Sequence, residues 1–218
     1  MVPDTANYES FIVARARTEN YIRLAMENPS TLSHRVLSAM HWDYRQFNDA
    51  IAEAERAIAL DPNDPDGYVA LAWALNFSGQ SQAALAAVDR AMRLDPRRPG
   101  AYMYVLGMTR FSLGQYESAA TALQRAYERN PENRVLNVPL AAAYANVDRL
   151  DDAQDALRRY TDVWASFTTT VDLLMGWWPF RRETDIRRFG GALIRAGMCC
   201  AEHLEEYIER VRRGGTLQ

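Results

Sequence analysis

The chain has 218 residues, of which 48% are apolar, and a formal net charge of −3 at pH 7. This length and composition suffice for one folded unit with its own core, and the weakly acidic balance argues against nucleic acid as a partner. The sequence has neither a run of about 20 apolar residues nor the regions of a secretory signal, so we expect a cytoplasmic protein without a membrane span.

Four dipeptides of Asp or Asn followed by Pro divide the chain at nearly equal intervals, with the prolines 33, 34 and 35 residues apart. They are Asn28-Pro29, Asp61-Pro62, Asp95-Pro96 and Asn130-Pro131. Between them, a Leu beside a small residue is followed after 13 residues by an Ala, and after seven more by a second Ala. A period of this length is typical of repeats that each form one helix-turn-helix unit.

The pattern resembles that of tetratricopeptide repeats. The resemblance implies an all-α fold, in which helical hairpins stack into a solenoid with a right-handed superhelical twist. The repeats are expected at residues 31–64, 65–98, 100–133 and 134–165, the last of which ends on Ala165 instead of Pro. Breaks inside the first three hairpins are predicted at residues 44–46, 78–80 and 113–115.

Two segments without the full pattern flank this array. Residues 1–30 contain one predicted helix, which we interpret as a half-repeat or an N-terminal cap; either it covers the end of the solenoid, or further repeats precede it in a longer protein. Residues 166–218 are expected to form C-terminal capping helices. Apolar periodicity predicts these at Glu183–Arg195, with Gly197 as the C-terminal stop, and at Ala201–Arg212.

The residues from Pro179 to Met198 carry a second resemblance. Their runs Pro-Phe-Arg, Asp-Ile-Arg-Arg-Phe and Arg-Ala-Gly-Met are similar to the segment that closes the repeat region of bacterial tetratricopeptide proteins associated with class III adenylate/guanylate cyclases. Ala192, Ile194 and Cys199 depart from that pattern. The resemblance implies a regulatory module or adaptor in a larger signalling protein that carries a cyclase domain.

No constellation of residues predicts catalysis. Gly190-Gly191 lies in a predicted helix and lacks the Lys and Ser/Thr of a phosphate-binding loop. His34 and His41 share a helix face but have no third ligand at a suitable spacing. The adjacent Cys199-Cys200 pair is expected to be two buried or idle thiols. We therefore expect a protein that is not an enzyme and that holds no metal and no cofactor.

The candidate site is a groove. In the family that the repeats resemble, the first helix of each hairpin lines the concave surface, and this geometry predicts an unusually aromatic groove. Its residues are Arg35, Trp42, Val69, Trp73, Asn76, Phe77, Tyr104, Met108, Phe111, Val138 and Asn146. A carboxylate clamp is not expected, because that family builds it from Lys and Asn and this chain contains no Lys.

The predicted function is that of a protein-interaction scaffold whose groove binds a peptide or helix through aromatic anchors. Two alternatives remain open at this point. The groove is filled by the chain's own residues 171–178, by its C-terminal helix or by a second copy in a homodimer, or it binds a small apolar ligand.

Overall fold

The computed structural model describes residues 18–97, 99–161, 171, 175, 177–199 and 201–214. Every regular element in these ranges is helical, which confirms the expected all-α fold. Residues 18–25 are helical and lie where the flanking N-terminal helix is predicted; the start of that helix lies outside the described residues. None of the described helices is long and apolar enough to cross a membrane.

Four helical hairpins follow one another along the chain. The first pairs α1 (Thr31–Asp43) with α2 (Phe47–Leu60), and the second pairs α3 (Pro65–Phe77) with α4 (Ser81–Leu94). The third pairs α5 (Pro99–Ser112) with α6 (Tyr116–Arg129). In the fourth, a 3-10 turn (Arg134–Leu136) precedes α7 (Asn137–Ala145) and α8 (Leu150–Thr161). The breaks inside the first three hairpins lie where the sequence predicts them.

Each turn inside a hairpin contains one residue with a left-handed backbone. Gly79 (φ 89°) and Gly114 (φ 77°) take this position in the second and third hairpins, where glycine has no steric penalty. Arg45 (φ 61°) and Asp148 (φ 58°) take it in the first and fourth. A residue with a Cβ atom loses roughly 1–2 kcal/mol in this conformation, so the contacts of Arg45 have to offset that cost.

Small residues let the two helices of a hairpin approach each other closely. A Cβ atom added at Gly107 of α5 would lie 2.6 Å from Cγ of Leu123 in α6, and Ala50, Ala84 and Ala119 are fully buried. The first helices of neighbouring hairpins also pack together, α1 against α3 and α3 against α5. We call the side of the stack formed by α1, α3, α5 and α7 the inner face.

Two further helices follow the array, α9 (Glu183–Arg195) and α10 (Ala201–Arg212), and both have the predicted bounds. We call residues 177–199 and 201–212 the C-terminal segment. Within it, α9 packs on α7, and α10 packs on α9 at Gly190, where an added Cβ would lie 2.5 Å from Cδ1 of Leu204. Cys199 is disulfide-bonded, so the expectation of buried or idle thiols is wrong.

Candidate functional site

The inner face carries the residues that the sequence analysis assigns to a groove, and it divides them into two sets. Five are buried, and six keep part of their surface exposed. The buried set is Asn76, Phe77, Met108, Phe111 and Val138. The partly exposed set is Arg35, Trp42, Val69, Trp73, Tyr104 and Asn146.

Two residues of the buried set, Phe77 and Phe111, lie against the C-terminal segment. The ring of Phe180 packs edge-on against Phe77 with the centroids 5.4 Å apart, and Phe189 of α9 packs edge-on against Phe111 at 5.4 Å. Phe180 and Phe189 also contact each other, with centroids 5.5 Å apart, and neither ring has exposed surface. Phe77 and Phe111 are therefore part of the core that the chain forms with its own C-terminal segment.

The same segment also binds the carboxyl-terminal ends of the inner helices. The backbone N–H of Arg181 donates to the carbonyl of Phe77 at 2.8 Å, and Arg188 Nη1 donates to the carbonyl of Ser112 at 3.3 Å. The last carbonyls of a helix have no donor inside it and carry partial negative charge. Donors from the C-terminal segment bind such carbonyls at the ends of α3 and α5.

At α7 the corresponding donor is Arg195. Its Nη2 donates to the carbonyl of Ala145 at 3.4 Å and to Oδ1 of Asn146 at 2.9 Å. Asn146 in turn donates from Nδ2 to the carbonyl of Ala142 at 2.9 Å. Asn146, one of the predicted groove residues, thus holds the end of α7 to the C-terminal segment.

Arg45 makes the equivalent contact at the turn of the first hairpin. Its Nη2 donates to the carbonyl of Phe180 at 2.6 Å, and its Nη1 donates to the hydroxyl of Tyr207 at 3.4 Å. Burial lowers the pKa of this guanidinium, while the neighbouring Tyr207 raises it. These bonds account for an arginine at a position where two other hairpins have glycine.

The partly exposed set contains a continuous row of aromatic rings. Trp42 of α1 lies 5.0 Å from Phe77, Phe77 lies 5.4 Å from Trp73, and Trp73 lies 4.9 Å from Tyr104 of α5, all between ring centroids. We call Trp42, Trp73 and Tyr104 the aromatic row. It crosses three hairpins and rests on the buried Phe77, so its rings have fixed positions.

Tyr104 joins the aromatic row to the C-terminal segment. Its hydroxyl accepts a hydrogen bond from Nε1 of Trp178 at 3.2 Å. Although part of the residue is exposed, burial of the hydroxyl raises the pKa of Tyr104 to about 12, and the bond from Trp178 acts in the opposite direction. The hydroxyl is therefore neutral at physiological pH.

Arg35 is the charged residue of the predicted groove, and its guanidinium is already engaged. Nη1 lies 3.2 Å from Asp64 Oδ2 and Nη2 lies 3.0 Å from Asp66 Oδ2. Both carboxylates belong to the start of α3, where Asp64 is the N-cap residue and accepts from the N–H of Asp66. Arg35 thus ties the first hairpin to the second.

Two of the three histidines, His34 and His41, belong to hairpin packing. The buried His34 places Nδ1 2.6 Å from Glu53 Oε2 of α2, and His41 places Nδ1 2.7 Å from Gln46 Oε1. Within the described ranges, no three His, Cys, Asp or Glu side chains are grouped so that they could hold a metal ion. The chemistry that the inner face offers is apolar contact through aromatic rings.

The sequence left open that residues 171–178 or the C-terminal helix fill the groove, but it did not indicate which residues cover the inner face. Phe180 and Phe189 are named in the tail resemblance without a role, and nothing in their local pattern indicates where α9 docks. One signal was available for Arg45: the equivalent turn positions carry Gly79 and Gly114. A charged residue at a position that favours glycine indicates a specific contact.

Comparison with known protein families supports the repeat assignment. Residues 43–126 match the family described as anaphase-promoting complex, cyclosome, subunit 3. Residues 110–163 match the tetratricopeptide-repeat family. No curated protein matches the chain.

Solved structures with the same fold are numerous, since 113 chains match. A thermophilic tetratricopeptide-repeat protein of Thermus thermophilus is 20% identical, with a TM-score of 0.60 over 86% of this chain and 96% of its own. PilW, a type IV pilus biogenesis factor, is 17% identical, with a TM-score of 0.57 over 95% and 87%. MamA from Desulfovibrio magneticus RS-1 is 18% identical, with a TM-score of 0.52 over 84% and 96%. At these identities the likeness establishes the fold.

Proposed function

We propose that this chain, which belongs to the tetratricopeptide-repeat proteins, is an interaction module that binds an apolar segment of a partner protein on its aromatic row. The proposal rests on the continuous series of ring contacts from Trp42 through Phe77 and Trp73 to Tyr104. Three of these rings keep exposed surface. They present a preorganised apolar surface to a partner.

Partly buried aromatic rings are the side chains that most often dominate binding energy. Each ring of the row is held by at least one neighbouring ring, so little side-chain entropy is lost when a partner binds. A partner that covers the exposed parts of Trp42 and Trp73 removes further apolar surface from water. The row therefore favours binding through apolar anchors.

The expected partner is an amphipathic helix or an extended apolar segment. Both present side chains at regular spacing to a groove. A carboxylate-recognising groove is disfavoured, because the chain has no Lys and Arg35 is paired with Asp64 and Asp66. Binding is then expected to change little with salt, since surface charge contributes little to it.

Selection from a phage-displayed peptide library, followed by affinity measurement on the selected peptides, tests this proposal. The wild type is expected to enrich peptides with aromatic and aliphatic anchors, and Trp42→Leu combined with Trp73→Leu is expected to weaken them about 30-fold or more. Tyr68→Leu is the matched control, since Tyr68 lies on the same helix as Trp73 but packs toward Arg90 of α4. Unchanged affinity in the double variant would contradict the proposal.

The same variants separate the two alternatives. If light scattering finds a dimer that the double Trp variant converts to a monomer, the aromatic row is a contact between copies of this chain. If no peptide is enriched but an environment-sensitive apolar dye binds the wild type and not the double variant, the row holds a small apolar ligand. A monomer that enriches peptides supports the interaction module.

A finer proposal places the module in a larger signalling protein that contains a class III cyclase domain. It is supported by the resemblance of the residues from Pro179 to Met198, of which Phe180 and Phe189 lie against the inner helices. The test is the gene: a cyclase catalytic domain in the same reading frame supports it. A reading frame that encodes only repeats and capping helices contradicts it.

A further inference from the structure

Residues 196–200 connect α9 to α10. The first part of this connection is fixed by the end of α9, because Gly197 has a left-handed backbone (φ 101°) and the N–H of Met198 donates to the carbonyl of Leu193 at 2.9 Å. Met198 is also buried. Cys199, which follows it, is exposed and disulfide-bonded. The position of α10 relative to α9 therefore depends on the backbone from Cys199 onward.

The disulfide of Cys199 has an unusual position in the chain. Cys200 is the one other cysteine of the sequence, so a disulfide within the chain joins two neighbouring residues. Neighbouring Cα atoms are at most about 3.8 Å apart, whereas those of ordinary disulfides are roughly 4.4–6.8 Å apart. Disulfides outside the ordinary geometry are reduced more easily, and exposed ones are the labile or regulatory ones. These features favour a bond that exchanges over a permanent structural bridge.

The helix that follows this bond docks through one buried face. Leu204, Tyr207 and Ile208 of α10 are each at most 5% exposed. The hydroxyl of Tyr207 donates to the carbonyl of Met175 at 3.1 Å and accepts from Nη1 of Arg45 at 3.4 Å. Docking of α10 therefore completes a contact that extends to the first hairpin.

Little besides this face holds α10 in place. Its main helical neighbour is α9, and the ion pairs between the two helices, Arg212 with Glu183 and Arg187 with Glu205, lie at the surface, where such pairs contribute little. A helix of 12 residues is also marginal on its own in water. Elements with few contacts open before the rest of a fold, so a restraint beside α10 can shift its docking equilibrium.

We propose that Cys199 is a site of reversible thiol–disulfide exchange that controls the docking of α10 on α9. The reductant is a dithiol. Its thiolate attacks one sulfur of the disulfide, forms a mixed disulfide and expels the other cysteine as a thiolate; its second thiol then resolves the mixed disulfide. The dithiol becomes a disulfide and gives up two electrons and two protons, which convert the two cysteines to thiols. Excess oxidised glutathione drives the reverse exchange.

The direction of the effect follows from chain entropy. The disulfide closes a ring over the two residues between the fixed end of α9 and the start of α10, and reduction opens it. The undocked state gains more backbone conformations from this than the docked state does. For a closed loop of two residues, the entropy relation gives a factor of roughly 5–10 in favour of the undocked state. The disulfide-bonded chain thus keeps α10 docked, and the reduced chain releases it more often.

Hydrogen–deuterium exchange of the whole chain tests the proposal, with oxidised glutathione or dithiothreitol in the buffer and the pH held constant. Intact mass should show a monomer that is two hydrogen atoms heavier after reduction. The amides of α10 are expected to exchange about 5–10-fold faster in the reduced chain. The amides of α6, which lies in the third hairpin, are the internal control and should exchange at the same rate in both buffers.

Two variants separate the bond from the reagents. Cys199→Ser cannot form the bond, so its α10 amides are expected to exchange at the rate of the reduced wild type in both buffers. This variant is the matched control for other effects of dithiothreitol. Leu204→Ala, which loses a buried contact at Gly190, provides the reference rate for a weakly docked α10.

Three results would overturn the exchange proposal. They are two free thiols in the wild type after treatment with oxidised glutathione, a covalent dimer under non-reducing conditions, and equal exchange of the α10 amides in the oxidised and reduced chains. Should Cys199→Ser fail to fold, the intact mass and the exchange rates of the wild type in the two buffers still decide the question.

Discussion

The guanidinium of Arg45, in the turn of the first hairpin, donates to the carbonyl of Phe180 at a distance of 2.6 Å. The two residues lie far apart in sequence, and their bond fastens the C-terminal segment to the start of the array. Phe180 itself is fully buried against Phe77. The unfavourable backbone of Arg45 (φ 61°) therefore serves a contact between the two ends of the described fold.

Two substitutions at Arg45 separate the contribution of its hydrogen bond to stability from the cost of its left-handed backbone. Arg45→Ala loses the bond to Phe180 and keeps the left-handed strain, so we expect it to lower the free energy of unfolding by about 2 kcal/mol. Arg45→Gly loses the same bond but relieves the strain, and is expected to be about 1 kcal/mol more stable than Arg45→Ala. Urea unfolding followed by circular dichroism measures both. Equal stability of the wild type and Arg45→Ala would refute the role of this bond.

Removing an aromatic ring of the C-terminal segment is expected to destabilise the whole fold. Phe180→Ala and Phe189→Ala each leave a cavity against the inner helices, and each should lower the free energy of unfolding by about 3–5 kcal/mol. Trp177→Ala is the control, since this neighbouring ring is 61% exposed and its loss should stay within about 0.5 kcal/mol. If the phenylalanine variants behave like the control, the C-terminal segment is not part of the core.

The sequence predicts the individual helices better than their docking. The breaks at 44–46, 78–80 and 113–115 follow from turn residues and repeat period, and Glu183–Arg195 and Ala201–Arg212 follow from apolar periodicity. These signals are local. An aromatic stripe on α3 or α5 has the same periodicity whether it meets solvent, a partner or Phe180, so the division of the inner face had to come from tertiary contacts.

The burial of Asn76 is a feature that the repeat pattern does not predict. Its position on α3 predicts a polar groove residue, yet it is fully buried, and both polar atoms of its amide lack a hydrogen-bond partner among the described residues. Burying an unpaired amide is unfavourable by about 1–3 kcal/mol. Sequence alone gives no indication of this, because the burial of Asn76 depends on tertiary packing and not on its position in the repeat.

Replacing Asn76 with Leu is therefore expected to stabilise the protein. Leu has a similar shape and no polar atoms, so the variant should gain about 1 kcal/mol or more in the free energy of unfolding. Asn63→Leu, at an exposed position between α2 and α3, is the control and should gain nothing. A loss of stability in Asn76→Leu would mean that the amide has a partner beyond the described residues.

The contact between α9 and α10 is expected to weaken in acid. Hydrogen bonds from Arg212 and Arg187 lower the pKa of Glu183, and one from Arg187 lowers the pKa of Glu205. A carboxyl group whose pKa is lower in the folded than in the unfolded state stabilises the fold above its unfolded pKa and loses this effect as the pH falls through its folded pKa.

Both residues are exposed and other carboxylates titrate as well. The informative quantity is therefore the difference in free energy of unfolding between the wild type and a variant without the two carboxylates. The free energy of unfolding of the wild type should exceed that of Glu183→Gln combined with Glu205→Gln at pH 6, and this excess should shrink once the pH falls below about 4.3, the ordinary pKa of a glutamate. Urea unfolding between pH 6 and pH 3 measures it. An excess that stays constant over this range would show that these ion pairs do not contribute to holding α10 on α9.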